Sequence, residues 1–163
     1  VITRSTQRFG QLENNMKQNI GSVEDRLAIR ELIETYHEAV LINDPELWID
    51  TWCQDGRWNL GEGTEVQGRD AILKHWSDAM AHFDFVGMFG TPTGIRVDDD
   101  KATARWYTNE ICRKSDGEML RICGNYHDHY RREADGWRIA QREYRILFMQ
   151  RPVYEPDAGS HWR

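Results

Sequence analysis

The period of the apolar positions changes midway along the chain, and that change predicts the fold. In the first half, Ile29, Leu32, Ile33, Tyr36 and Val40 fall on one stripe at helical spacing. Ser22 is placed to cap this helix, and Glu24 and Asp25 stand in its first turn, where the helix dipole favours acids. Asn43-Asp44-Pro45 ends it, and Pro45 opens a second helix carrying Leu47, Trp48, Ile49 and Trp52. Gln54-Asp55-Gly56 predicts a turn and Arg57-Trp58-Asn59-Leu60 a short strand. A third helix is predicted over 69–82, with Ile72, Leu73, Trp76 and Met80 on one face.

In the second half, residues 94–97, 102–113, 118–131 and 137–149 alternate or are rich in β-formers. Turns separate them at Asp98-Asp99-Asp100, Ser115-Asp116-Gly117 and Asp135-Gly136. Three helices followed by long meandering strands predict an α+β domain, with a curved, mostly antiparallel sheet wrapped around the helices. The predicted organisation is an arm over 1–21, one domain over 22–150 and a tail over 151–163.

Composition narrows the function classes. The chain of 163 residues suits one domain with its own core. No run of apolar residues reaches membrane-spanning length, and the first twenty residues lack the apolar core of a secretory signal. Cys53, Cys112 and Cys123 are odd in number and show no paired spacing, which reads as free thiols in a reducing cytoplasm. A net charge of −6 without a basic stripe argues against nucleic acid. Seven Trp, six Tyr and five Phe, 11% of the chain, suit a pocket for a flat, hydrophobic ligand.

Several words in this order resemble the SnoaL-like family of the nuclear-transport-factor-like superfamily. They are Asp25-Arg26-Leu27-Ala28-Ile29-Arg30, Val66-Gln67-Gly68-Arg69, Ala102-Thr103-Ala104-Arg105-Trp106-Tyr107, Tyr126-His127-Asp128-His129-Tyr130 and Asp135-Gly136-Trp137-Arg138-Ile139. The resemblance covers roughly residues 22–150. It implies a cone-shaped barrel with an internal cavity, in a homodimer or homotrimer. Relatives include scytalone dehydratase, bile-acid 7α-dehydratase, hexachlorocyclohexane dehydrochlorinase and a diarylpropane lyase. Non-catalytic small subunits of ring-hydroxylating dioxygenases also belong, so the fold alone leaves function open. Several of the lyases pair an Asp late in the first helix with a His before the first long strand. At those positions this chain carries Leu41 and the run Gly87-Met88-Phe89, so the usual dyad is absent.

Other groups must then carry any chemistry. Tyr36 is central on the apolar stripe and His37 sits at its edge, so the first could orient a substrate oxygen and the second act as a base. A core tyrosine beside a half-exposed histidine is the plainer alternative. Period two places Trp106, Thr108 and Glu110 on one face of their strand, and Gly124, Tyr126 and Asp128 on one face of the next. His127 and His129 face the other way, toward a subunit interface or the outer surface, and form no metal site. Arg142, Tyr144 and Ile146 share a face that the resemblance turns inward. A buried Arg142 needs an anion, which Glu110 or Asp128 could supply. It would then either hold a substrate oxyanion or brace the barrel.

Tyr36, His37, Glu110 and Arg142 are thus the candidate catalytic residues. Trp58, Met80, Phe89, Trp106, Thr108, Gly124, Tyr126 and Tyr144 are the candidate ligand contacts, Gly124 by leaving room. No nucleophile elbow, phosphate loop, dinucleotide fingerprint or zinc motif is present in the sequence. The reading is a cofactor-free lyase for a small hydrophobic, aromatic substrate, working by dehydration or by retro-aldol loss of formaldehyde. A non-catalytic binding or small-subunit role and a double-bond isomerase are the alternatives.

Overall fold

A computed structural model describes residues 19–61 and 63–151. Helix α1 (Val23–Ile42) is followed by α2 (Pro45–Asp50), strands β1 (Trp52–Gly61) and β2 (Thr64–Gln67), and helix α3 (Arg69–Met80). Then come β3 (Phe83–Asp98), β4 (Lys101–Lys114), β5 (Met119–Glu133) and β6 (Gly136–Gln150). The six strands form one curved sheet in the order β2-β1-β6-β5-β4-β3, antiparallel except for the β1–β6 pair. The fold is α+β, with the helices on the concave face, as the change of period predicts.

Local chemistry sets the helix ends. Ser22 Oγ accepts the Asp25 N–H at 3.0 Å, and Asn43 ends α1 in the left-handed conformation, φ 55°. Asp44 caps α2 through the N–H groups of Glu46 and Leu47. Ile29, Ile33, Tyr36, Ala39 and Val40 of α1 are buried against the sheet. With Trp48, Trp52, Ile72, Trp76, Ile95, Trp137 and Ile139 they form the core.

The strands differ from expectation in three places. Trp52 belongs to β1, not to the second helix, and Gln54-Asp55-Gly56 lies within that strand. Gly56 fits there because a Cβ would come within 3.1 Å of the Trp52 ring and 3.0 Å of the Cys53 carbonyl. β2 was not foreseen, and β3 runs from Phe83 rather than from Gly94. Gly87, Gly90 and Pro92 hide its first ten residues from propensity, while pairing with β4 holds them.

β4 alternates throughout, with Ala102, Ala104, Trp106, Thr108, Glu110 and Cys112 inward. In β6 the phase changes partway. Trp137 and Ile139 are buried ahead of an extra residue at Ala140, and Arg142 is buried after it. Ahead of β3, Ile20 of the predicted arm bridges Arg96, and Ile20 N–H donates to the Ile95 carbonyl at 2.9 Å. The rest of the predicted arm and tail, Arg151 apart, lies outside the described residues.

Candidate active site

Arg142 is the centre of the buried polar groups. It lies directly across from Asp128 on β5. Its Nε and Nη2 donate to Asp128 Oδ1 and Oδ2 at 2.8 and 2.6 Å, with the two side chains 1% and 0% exposed. Tyr130 Oη donates to Asp128 Oδ2, and Trp106 Nε1 donates to Tyr130 Oη at 2.7 Å. The guanidinium is sandwiched between aromatic faces, 4.3 Å from the Tyr36 ring centre and 4.1 Å from that of Tyr126. Burial opposes its charge, but Asp128 holds it protonated.

A second group forms around Glu110. Its Oε1 accepts from Thr108 Oγ1 at 2.7 Å and from Tyr144 Oη at 2.9 Å. Burial raises its pKa, and the two hydroxyl hydrogen bonds only partly offset that rise. The Tyr144 ring lies 4.8 Å from that of Tyr126 and links this group to Arg142.

His37 completes the set. Burial and then the charge of Arg142 lower its pKa to about 4, so the imidazole is neutral at pH 7. The ring occupies the space over Gly90 of β3, where a Cβ would lie 2.3 Å from Cε1 and 2.7 Å from Nε2. Gly90 pairs with Thr108, so the His37 ring, coming from α1, lies over the strand next to the one that carries Thr108 and Glu110. Tyr36 is buried behind, its ring edge-on to His37 at 6.0 Å. Burial raises the Tyr36 pKa, against the pull of the Arg142 charge.

The structure thus brings Tyr36, His37, Glu110, Arg142, Thr108, Tyr126 and Tyr144 together. Trp58 and Trp106 are also buried inside, and Met80 packs at the edge of the core. Two expectations need correction. Phe89 is 62% exposed on the outer face, because the inward phase of β3 falls on Met88 and Gly90. Gly124 leaves no free room, since a Cβ there would come within 2.5 Å of the Tyr144 ring and 2.6 Å of Thr108 Oγ1. Leu41 is 42% exposed, and His37 is the α1 residue that meets β3 beside the site.

Asp128 is the anion of Arg142, of the two carboxylates considered. Gly90 was missed, and its only signal was a glycine among inward positions of a strand. His127 and His129 are exposed, as alternation places them. They line an open cleft of about 790 Å³ with Arg96, Arg105 and Tyr107. Among the described residues no group of three or more His, Cys, Asp or Glu is placed to hold a metal ion. Burial pushes the Cys53 and Cys112 thiols up to about 12, which disfavours either as a nucleophile.

Residues 21–143 match the SnoaL-like domain. The chain belongs to the SnoaL-like family. An uncharacterised protein of Mycobacterium tuberculosis, Rv2910c, is 28% identical over 137 residues, 76% of this chain and 86% of that one. Two solved structures from Novosphingobium aromaticivorans share the fold. A candidate aromatic ring hydroxylase superposes with a TM-score of 0.74 at 24% identity, covering 82% of this chain and 96% of that one. A candidate scytalone dehydratase gives 0.75 at 19% identity, covering 82% and 91%. As a SnoaL-like chain, this protein shares its fold with proteins named as dehydratases, and no helix among the described residues is long and apolar enough to cross a membrane.

Proposed function

We propose that this SnoaL-like protein is a cofactor-independent lyase acting on a small, hydrophobic, aromatic substrate. The observation that carries the reading is a neutral imidazole on α1 over Gly90 of β3 and, on the adjoining strand β4, a buried carboxyl with a raised pKa. His37 takes a proton from the substrate, and Glu110, whose hold on its proton burial strengthens, supplies one to the departing oxygen. Tyr36 and Tyr126 position a substrate oxygen, and Arg142 stabilises the negative charge that develops on it.

An imidazole with a pKa of about 4 is a weak base. It serves only where the proton is already acidified, as beside a carbonyl or in conjugation with a phenol. That requirement favours a substrate whose oxygen reaches Arg142, and it fits dehydration of a β-hydroxy ketone, where the proton leaves the carbon beside the carbonyl and the hydroxyl departs as water. In retro-aldol loss of formaldehyde from a phenolic diarylpropane, His37 would take the hydroxymethyl O–H proton as the C–C bond breaks, and the electron pair of that bond would expel a benzylic hydroxyl that Glu110 protonates to water.

A second reading is a non-catalytic binding or small-subunit role. It is favoured by the Arg142–Asp128 pair, which satisfies much of the hydrogen bonding of Arg142 without a ligand. We further propose that a second copy packs on the outer sheet face, where Phe85, Phe89, Ile111 and Phe148 are exposed. Analytical ultracentrifugation of wild type and Phe89→Asp tests it.

The test of the lyase reading is turnover of aromatic β-hydroxy ketones and phenolic diarylpropanes, followed by absorbance and by formaldehyde release. Turnover that persists after exhaustive chelation and is lost in His37→Gln and Glu110→Gln supports the reading. Panel members that bind saturably yet remain unconverted support the non-catalytic role instead.

A further inference from the structure

We infer that the indole N–H groups of Trp48, Trp52 and Trp58, with Nη1 of Arg142, form a binding site for a small anion. These four nitrogens are the buried side-chain polar atoms, among the described residues, that find no hydrogen-bond partner. All four are donors. A single buried donor without an acceptor costs about 1–3 kcal/mol, and such groups are few in native proteins.

The four are neighbours. The Trp48, Trp52 and Trp58 rings lie 5.5 to 5.9 Å apart, each in contact with the other two. The guanidinium carbon of Arg142 is 5.9 Å from the Trp52 ring centre, and Trp58 is the direct neighbour of Arg142 across the β1–β6 pair. Asp128 occupies the Nε–Nη2 edge of the guanidinium. Nη1 therefore lies on the side away from that carboxylate, and an anion there would share the cation without meeting Asp128 directly.

The chemistry selects an acceptor without protons. A water molecule could accept from two of these donors, but its own hydrogens would then need acceptors. Asp128 already accepts three hydrogen bonds, from Arg142 twice and from Tyr130. A halide ion or an ionised carboxylate accepts several N–H bonds and offers none. Three indoles add donors without adding charge, and Arg142 supplies the countercharge. The inference shares Arg142 with the lyase reading, but it rests on the four unpaired donors and does not require that the protein be a catalyst.

The test is a titration of the uniformly ¹⁵N-labelled protein with sodium bromide, and separately with sodium benzoate, at constant ionic strength. The indole N–H signals are assigned by single Trp→Phe variants. The expected result is that the Trp48, Trp52 and Trp58 signals shift together and saturate with one dissociation constant, while the Trp76 and Trp137 signals do not. Trp58→Phe should weaken that constant about tenfold, with the Trp48 and Trp52 signals still responding. Competition of benzoate for the bromide site would identify the anionic group of an organic ligand as an occupant. A bromide response that benzoate leaves unchanged would restrict the site to the free ion. Linear, unsaturable shifts spread over all the indoles, or no shift in wild type with either salt, would overturn the inference.

Discussion

The imidazole of His37 lies where a side chain on Gly90 would be, so a helix residue fills the gap that a strand residue leaves open. This relationship places a neutral histidine at the buried site although the strand itself carries none. Gly90→Ala puts a methyl group 2.3 Å from the ring, and the imidazole must leave its place. The expected outcome is a His37 pKa that rises from about 4 toward its ordinary 6.5, read from a histidine NMR titration. A loss of stability on the order of 1–3 kcal/mol should accompany it. An unchanged titration would show that the ring is held by something other than the space over Gly90.

The Arg142–Asp128 pair predicts a non-additive cycle. Arg142→Met leaves a buried carboxylate and Asp128→Asn leaves a buried guanidinium, so each alone should cost about 3–5 kcal/mol in urea unfolding. The double variant should cost clearly less than the sum, because neither charge remains. Additive losses would mean that each residue is held by other groups.

His37 also predicts how stability depends on pH. Its pKa is about 4 in the folded protein against 6.5 for the free side chain. Between these values the unfolded chain binds more protons than the native one, so stability falls as pH drops from 6.5 to 4. The full effect of this group is on the order of 3 kcal/mol, and it adds nothing further below about pH 4. His37→Phe should flatten that part of the curve, as measured by melting temperature across the range.

Glu110 acts in the opposite direction. Its folded pKa is raised by burial, so its contribution is fully present below the ordinary carboxyl value and is lost as pH rises through the folded value. Glu110→Gln keeps an oxygen for Thr108 and Tyr144 but cannot ionise. The variant should be more stable than wild type at pH 8 and close to it at pH 4. A variant less stable at both values would show that the carboxyl is ionised in the folded state.

His127 and His129 face outward, so alanine at either should leave ligand affinity at the buried site unchanged. Isothermal titration with any ligand that stabilises the wild type checks this. A large loss of affinity with assembly unchanged would mean that the cleft they line, not the interior, is the binding site.

Much of this was legible in the sequence, for reasons that differ by element. The stripe from Ile29 to Val40 has a helical period, so α1 and the burial of Tyr36 could be read directly. Unbroken alternation in β4 exposed Thr108 and Glu110 as inward residues before any coordinates. Phe89 was misread because Gly87 and Gly90 carry no hydropathy signal with which to set the phase of β3. The choice of Asp128 over Glu110 as the partner of Arg142 depends on cross-strand register, which one strand's pattern does not contain. The meeting of His37 with Gly90 joins residues 53 positions apart, beyond the reach of any local rule.

The extra residue at Ala140 makes β6 a strand of two parities. Before it, odd-numbered residues, Trp137 and Ile139, face inward and close the hydrophobic floor; after it, even-numbered ones, Arg142 and Tyr144, carry the polar chemistry. A deletion of Ala140 would leave every other side chain in the sequence yet turn Arg142 to the outer face and Glu143 to the interior. Length, as much as identity, is therefore inherited information in this strand. Relatives that lack the extra residue should be expected to carry their inward charge at an odd position, and an alignment that ignores the bulge will pair the wrong residues.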